Sequence, residues 1–326
     1  MIILITVGSA LVGATIGVKA AMSYLARRYL DAAIGIVQTH AVKRHAVDWT
    51  ALRTEAYERN RNALTRSDTY ETIRFVLTSL GDHHSGLLSP EMVSGLNRLT
   101  ADDNPSPDGR VLSERLGYIR VPSFVSGNQQ AVDLAATHLH RIVQAVEAQH
   151  PCGWIVDLQN DGGGNMWPML AGLGPILGEG RLGAFIDPEG RQTTWSYASG
   201  AAREADQPRA RVLGAGYRSQ AATAPVAVLI SRGTASSGEA VTIAFVGRPN
   251  TRSFGQPTRG LSTSNDQFLL SDGAIINLSV SVFADRNGHQ YPSGIDPDER
   301  AVTSASAPIP SAATAWLRQQ PACLAQ

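Results

Sequence analysis

Apolar and polar positions follow two different periods along this chain, and the change of period divides it. Residues 25–65 read as helices with Arg- and Glu-rich faces and no aromatic core of their own. A better defined helix follows, in which Ile73, Val76, Leu77 and Leu80 form one apolar stripe at helical spacing. Asp68, with Glu71 at the capping-box position, is the predicted start of that helix, and Gly81 fits its C-terminus. The chain leaves it as Asp82-His83-His84-Ser85-Gly86-Leu87-Leu88. Residues 96–114, rich in Asp, Asn, Pro and Ser, read as a polar surface connection.

From Gly117 onward strands alternate with helices. Tyr118-Ile119-Arg120-Val121 is strand-like, and a helix from about Asn128 to Gln149 turns Val132, Ala135, Leu139, Ile142, Val143 and Val146 inward. Trp154–Leu158 reads as a buried strand that ends in Gln159-Asn160-Asp161-Gly162-Gly163-Gly164-Asn165, followed by a helix to about Leu177. Residues 183–186 and 193–197 form a predicted hairpin around Asp187-Pro188-Glu189-Gly190. The clearest hairpin runs from Phe268 through Asp272-Gly273 to Val282, and Asn287-Gly288 adds a turn. Pro225–Ile230 is a further buried strand. It turns through Gly233-Thr234-Ala235-Ser236-Ser237-Gly238-Glu239 into the helical run Ala240–Phe245. This alternation predicts an α/β core, mostly from 115 to 305.

At 326 residues the chain is long enough for about two domains, and 43% hydrophobic with 17% charged residues describes a globular protein. The 28 basic and 28 acidic residues balance, with no basic stripe or zinc-ligand spacing. Nucleic acid is therefore not an expected partner, and no metal or organic cofactor is implied. Cys152 and Cys323 read either as a disulfide in an exported protein or as two buried thiols. Residues 2–18 carry no charge, and this run of 17 lies at the lower edge of a membrane span. It reads as a signal peptide or a membrane tether. A basic n-region is missing, and Lys19, Arg27 and Arg28 lie downstream, which conflicts with export of the main domain. The expectation taken from these signals is an exported or membrane-anchored protein, with an extracytoplasmic or periplasmic setting favoured.

Three loops offer chemistry. Ser236 and Ser237 stand where a strand becomes a helix, so a hydroxyl there meets unpaired backbone N–H groups, as a nucleophile and its oxyanion require. A plain helix N-cap is the other reading. The Asp161–Gly164 turn lets N–H groups approach a ligand, or it is simply a tight turn. His84 lies beyond a helix end, where it reads as a general base or as a solvated loop histidine. The serine turn is not a Gly-x-Ser-x-Gly elbow, since Thr234 replaces the first glycine.

Taken together, residues 80–86, 117–121, 157–164, 234–239, 254–258 and 294–298 resemble the C-terminal processing and tricorn-type serine peptidases in order and spacing. The resemblance implies a ClpP/crotonase-like spiral of ββα units behind an N-terminal helical segment, and a peptide or protein substrate. It implies Ser236 as nucleophile, His84 as general base, and the N–H groups of Gly163 and Ser237 as the oxyanion hole. The processing branch activates its serine with a lysine, but that position falls at Leu261, and Lys43 is the last lysine of the chain. The orienting acid is unassigned, with Asp298 the candidate ahead of Asp296 and Asp285. The gap between the His84 loop and Gly117 is too short for the PDZ domain many relatives carry. A small apolar ligand carrier on the same fold is the alternative function. The resulting division is a signal or anchor segment (1–24), a helical subdomain carrying the His84 loop (25–92), a linker (93–114), a serine peptidase core (115–306) and a C-terminal tail (307–326).

Overall fold

The structure, a computed structural model, describes residues 6–100, 102–214, 219–302 and 308–324, and the side chains of 6–18 are outside that description. The chain divides into two compact units, Met1–Ser94 with Asn265–Val280, and Gly95–Ser264 with Ser281–Gln326.

The first unit is built on helices Thr6–His40, Trp49–Arg59 and Tyr70–Thr78. The expected stripe Ile73, Val76, Leu77 and Leu80 is buried against Leu30, Ile34, Val37, Ile276 and Leu278. The start of its helix differs from the sequence reading. Asp68 turns its carboxylate back to the N–H groups of Leu64 and Thr65, at 2.9 Å each, and Thr69 occupies the N-cap position. A carboxylate met by two nearby backbone donors has no reason to wait for the helix. Asp272, in the turn of the predicted hairpin, accepts from the hydroxyls of Tyr29 and Tyr70, at 2.7 Å each. Gly86–Leu88 pairs antiparallel with Ile275–Asn277.

The second unit holds a six-stranded sheet in the order Glu299–Arg300, Thr251–Gly255, Val226–Ile230, Gly153–Asp157, Leu116–Arg120 and Asp108–Val111. All neighbours are parallel except the last pair. The two central strands are buried at every position, as a parallel sheet covered on both faces requires. One face packs on helices Gln129–Glu147, Met166–Gly172 and Ser237–Phe245, which also meet Leu182, Trp195, Tyr197 and Phe283 of a second, antiparallel sheet. The other face, with Ile155, Ala227, Leu229 and Phe254, is covered by Ala313 and Leu317 of helix Ser311–Arg318. Cys152 and Cys323 are joined by a disulfide that ties this C-terminal helical segment to the start of strand Gly153–Asp157. The architecture is thus mixed α/β, with helices behind the sheet and a helical first unit.

Among the elements that went unread in the sequence are strand Asp108–Val111 inside the polar connection, strands Ala201–Glu204 and Gln207–Arg211, which extend the antiparallel sheet, strand Thr251–Gly255, and helices Pro90–Asn97 and Ser311–Arg318. Of the N-terminal apolar run, residues 2–5 lie outside the described residues. Among the described residues no helix is long and apolar enough to cross a membrane.

Candidate active site

Strands Gly153–Asp157 and Val226–Ile230 are parallel neighbours, so the loops that leave them emerge side by side. Hydrogen bonds lace these loops together. Thr234 Oγ1 donates to the Leu158 carbonyl at 2.7 Å, Ser231 Oγ to that of Gln159 at 2.5 Å, and the Ala235 N–H to that of Asp161 at 2.9 Å.

Ser236 is the N-cap residue of helix Ser237–Phe245, with φ 52° and ψ −114°. For a non-glycine residue such a backbone costs of order 1–3 kcal/mol and persists only where the surroundings impose it. Glu239 imposes it from a fully buried position. Its Oε2 accepts from the Ser236 and Leu261 N–H groups at 2.9 and 2.8 Å, and its Oε1 from the Gly260 N–H and Thr258 hydroxyl at 2.8 and 2.5 Å. Ser236 therefore does occupy a cap position, within a capping box, and it is also strained. A plain cap needs no such strain.

The glycine turn lies directly against this serine. Gly163 has φ 106°, and a Cβ there would stand 2.7 Å from Ser236 Cβ and 3.1 Å from the Ser237 nitrogen. Only glycine allows that approach. Ser237 Oγ donates to the Gly164 carbonyl at 2.8 Å. The Gly162 N–H donates to Ser123 Oγ at 2.8 Å, and the Gly163 N–H to Asp161 Oδ1 at 3.0 Å. Asp161 is fully buried, and its Oδ2 finds no hydrogen-bond partner among the described residues. Burial pushes its carboxyl up to about 7, against the opposing pull of the Gly163 N–H. The second unit thus brings together Gly163, Ser236 and Ser237, with Asp161 beneath them.

His84 stands in the first unit. The Asp82 carboxylate shapes its loop, accepting from the N–H groups of His84 and Ser85 at 3.0 and 2.7 Å and from the Ser85 hydroxyl at 2.9 Å. Asn265 Nδ2 donates to the His84 carbonyl at 2.9 Å, and Ser279 Oγ donates to Asn265 Oδ1 at 2.9 Å. Burial lowers the His84 pKa below the ordinary histidine value, and the charge of Asp82 partly opposes it. A neutral imidazole is the form a general base needs.

The acid candidates are engaged locally. Asp298 Oδ2 accepts from the Ser253 N–H and hydroxyl at 2.7 and 2.8 Å, and Asp296 pairs with Arg300 at 3.0 Å. Asp285 accepts from the N–H groups of Asn287 and His289 and from the Tyr291 hydroxyl. Asp82, two residues away in the same loop, accepts from the His84 backbone N–H, and its charge opposes the lowering of the His84 pKa. The Gly-Asp-x-His spacing displayed it, and sequence reasoning passed over it. Glu239 and Asp161 were missed as well. The signal for Glu239 was its place three residues after a turn serine, the capping-box spacing. Among the described residues no three of His, Cys, Asp and Glu gather as metal ligands.

The model of the family described as Peptidase family S41 matches residues 115–301. The Nisin-resistance protein of Lactococcus lactis subsp. lactis is 24% identical over 274 residues, which cover 84% of this chain and 81% of that protein. The carboxyl-terminal-processing protease of Synechocystis sp. is 28% identical over 187 residues, covering 57% of this chain and 38% of that longer protein. Among solved structures, a lipoprotein from Streptococcus agalactiae superposes with a TM-score of 0.73 at 27% identity, covering 90% of this chain and 96% of its own.

Proposed function

Since the chain belongs to peptidase family S41 and is a serine peptidase, we propose that it cleaves peptide bonds by attack of Ser236 on the scissile carbonyl, with His84 as general base. The strained backbone of Ser236, pressed against Gly163 at the start of a buried helix, is the observation that carries this reading. Strain held in place by Glu239 presents the hydroxyl at a fixed point, where loss of its proton creates the attacking oxygen. His84 takes that proton and returns it to the leaving amine. The N–H groups of Gly163 and Ser237 receive the carbonyl oxygen as it becomes an oxyanion. The second unit contains no lysine, so no Ser/Lys dyad can form within it. We assign Asp298 to holding strand Thr251–Gly255 through Ser253, and Asp82 to tuning His84. The arrangement of the core as a spiral of ββα units belongs to the same proposal.

The substrate we infer is a peptide presented outside the cytoplasm. The disulfide supports that setting, since such bonds persist in oxidising compartments. One relative is named for nisin resistance and another is a lipoprotein, which agrees with it. Membership in a peptidase family sets the apolar-carrier alternative aside.

The test is covalent labelling by a fluorophosphonate serine probe together with peptide cleavage. Both should occur in the wild type and vanish in Ser236→Ala, while His84→Ala should slow them by about 10²–10⁴-fold, the usual worth of a general base. Undiminished labelling of Ser236→Ala would end the proposal.

A further inference from the structure

We propose that Asp161 is a positioning residue of the oxyanion loop, whose carboxyl decides whether the Gly163 N–H stays bound within the loop or turns to the substrate oxygen. The inference rests on the reading of Ser236 as nucleophile. The Gly163 N–H, half of the proposed oxyanion hole, is already spent on Asp161 Oδ1 at 3.0 Å. The site as it stands is latched, and something must release the latch when the tetrahedral oxyanion forms.

The carboxyl has little room to release it by moving. The Asp161 carbonyl is fixed by the Ala235 N–H at 2.9 Å. Its Cγ lies only 3.0 Å from where a Cβ on Gly238 would stand, so the first turn of the serine helix closes over it. What can change is its charge. An ionised carboxylate is the stronger acceptor and grips the Gly163 N–H. It also places a negative charge beside the developing oxyanion, in a setting where water does not screen it. A neutral carboxyl accepts weakly and adds no charge, so the same N–H can pass to the substrate oxygen. The buried Oδ2, without a partner among the described residues, suits the neutral form, because an unpaired buried charge is far more costly than an unpaired hydroxyl. Burial raises the carboxyl to about 7, which puts the change of state in a working pH range.

Charges nearby do little to alter this. Segment 121–125, which meets the loop through Ser123, has no ionisable residue. Glu239, on the helix above, is consumed by its four donors. Asp157, at the end of the preceding strand, accepts from the Tyr118 hydroxyl at 2.6 Å and from Gln159. Arg232, in the serine turn, is exposed. Asp161 therefore answers mainly to its own burial.

The experiment follows the rate of fluorophosphonate labelling against pH in the full-length wild type, Asp161→Asn and Asp161→Ala. The wild type should show an acid limb from the general base and an alkaline limb turning near 7, falling about tenfold per pH unit beyond it. Asparagine keeps an acceptor for Gly163 but cannot ionise, so Asp161→Asn should retain the acid limb and lose the alkaline one. Alanine should lower the rate at every pH by roughly tenfold or more, because the loop loses its internal tie. An alkaline limb that persists in Asp161→Asn, or is missing from the wild type, overturns the assignment of Asp161 alone. A wild type that never labels overturns the nucleophile reading and this inference with it. Should Asp161→Asn fail to fold, carbon-13 NMR of aspartate carboxyls in the wild type decides: one must titrate near neutrality, and none doing so refutes the proposal.

Discussion

Replacing Gly163 by alanine tests the heart of the site, because the neighbouring Gly162 supplies an internal control. A Cβ at position 163 would stand 2.7 Å from Ser236 Cβ, 3.0 Å from the Ala235 carbonyl and 3.1 Å from the Ser237 nitrogen, on a backbone with φ 106°. Two of those neighbours are backbone atoms, and Ser236 is itself held by Glu239, so nothing nearby yields cheaply. The alanine backbone must leave its glycine conformation, at about 1–3 kcal/mol of folding free energy. In leaving, it carries its N–H away from the oxyanion position. One lost oxyanion donor is worth about 2.7–4 kcal/mol, or roughly 10²–10³-fold in rate. At position 162 a Cβ would meet only Ser123 Oγ at 3.4 Å, an ordinary contact, and no positive φ is involved. Fluorophosphonate labelling near neutral pH, with urea unfolding of each variant, separates the two effects. Gly163→Ala should label at least about 100-fold more slowly and unfold earlier, while Gly162→Ala stays within about twofold of wild type. If Gly163→Ala labels within about threefold of wild type at an unchanged unfolding midpoint, the oxyanion argument is wrong.

The disulfide closes a loop with a separation of 171 residues, for which chain entropy gives about 5 kcal/mol. Release of the Leu317 helix offers a cheaper local opening, so Cys323→Ala should lower the urea stability by about 2–5 kcal/mol, and two reactive thiols in the untreated native protein would contradict the bond. The acid limb of labelling should lie below the ordinary histidine value, because burial favours neutral His84. Asp82→Asn, which removes the charge opposing that shift, should move the limb further down, and an upward move would count against the assignment. Glu239→Gln turns an amide toward groups that are all donors, and should cost about 3–5 kcal/mol of stability along with most of the labelling. The raised folded-state pKa of Asp161 means that its ionisation opposes folding. That penalty is absent at acid pH, grows as pH rises and is complete above about 7. Asp161→Asn should therefore gain stability over wild type with rising pH, approaching about 4 kcal/mol, and a gain that is flat with pH would argue otherwise.

The buried strands and the serine turn were legible because their signals are strong: runs of Val, Ile and Leu end on small residues, and a helix follows. Strands Ala201–Glu204 and Gln207–Arg211 were not. Their inward positions are only Ala201, Ala202 and Ala210, set among Arg203, Glu204, Arg209 and Arg211, so alternation leaves almost no trace. Asp108–Val111 was hidden for a similar reason, as a short polar strand whose pairing is supplied by Leu116–Arg120. At the site, the sequence displayed the nucleophile, base and glycine candidates, which are residue types that chemistry demands. It did not display Asp161 as the partner of Gly163, since that bond follows from the turn geometry and from burial. Nor could spacing choose among Asp285, Asp296 and Asp298, whose hydrogen bonds are decided by the strands that flank them.

The pairing of Gly153–Asp157 with Val226–Ile230, Asp157 opposite Leu229, has an effect beyond cohesion of the sheet. A slip of one position would displace the serine turn from the glycine turn by about 3.3 Å and reverse which side chains face the helices. That distance exceeds a hydrogen bond. The alignment of the proposed nucleophile and oxyanion donors is therefore only as accurate as strand pairing laid down several residues upstream. Val156 and Val228, paired in the middle of these strands, thus help set the geometry of the site without belonging to it.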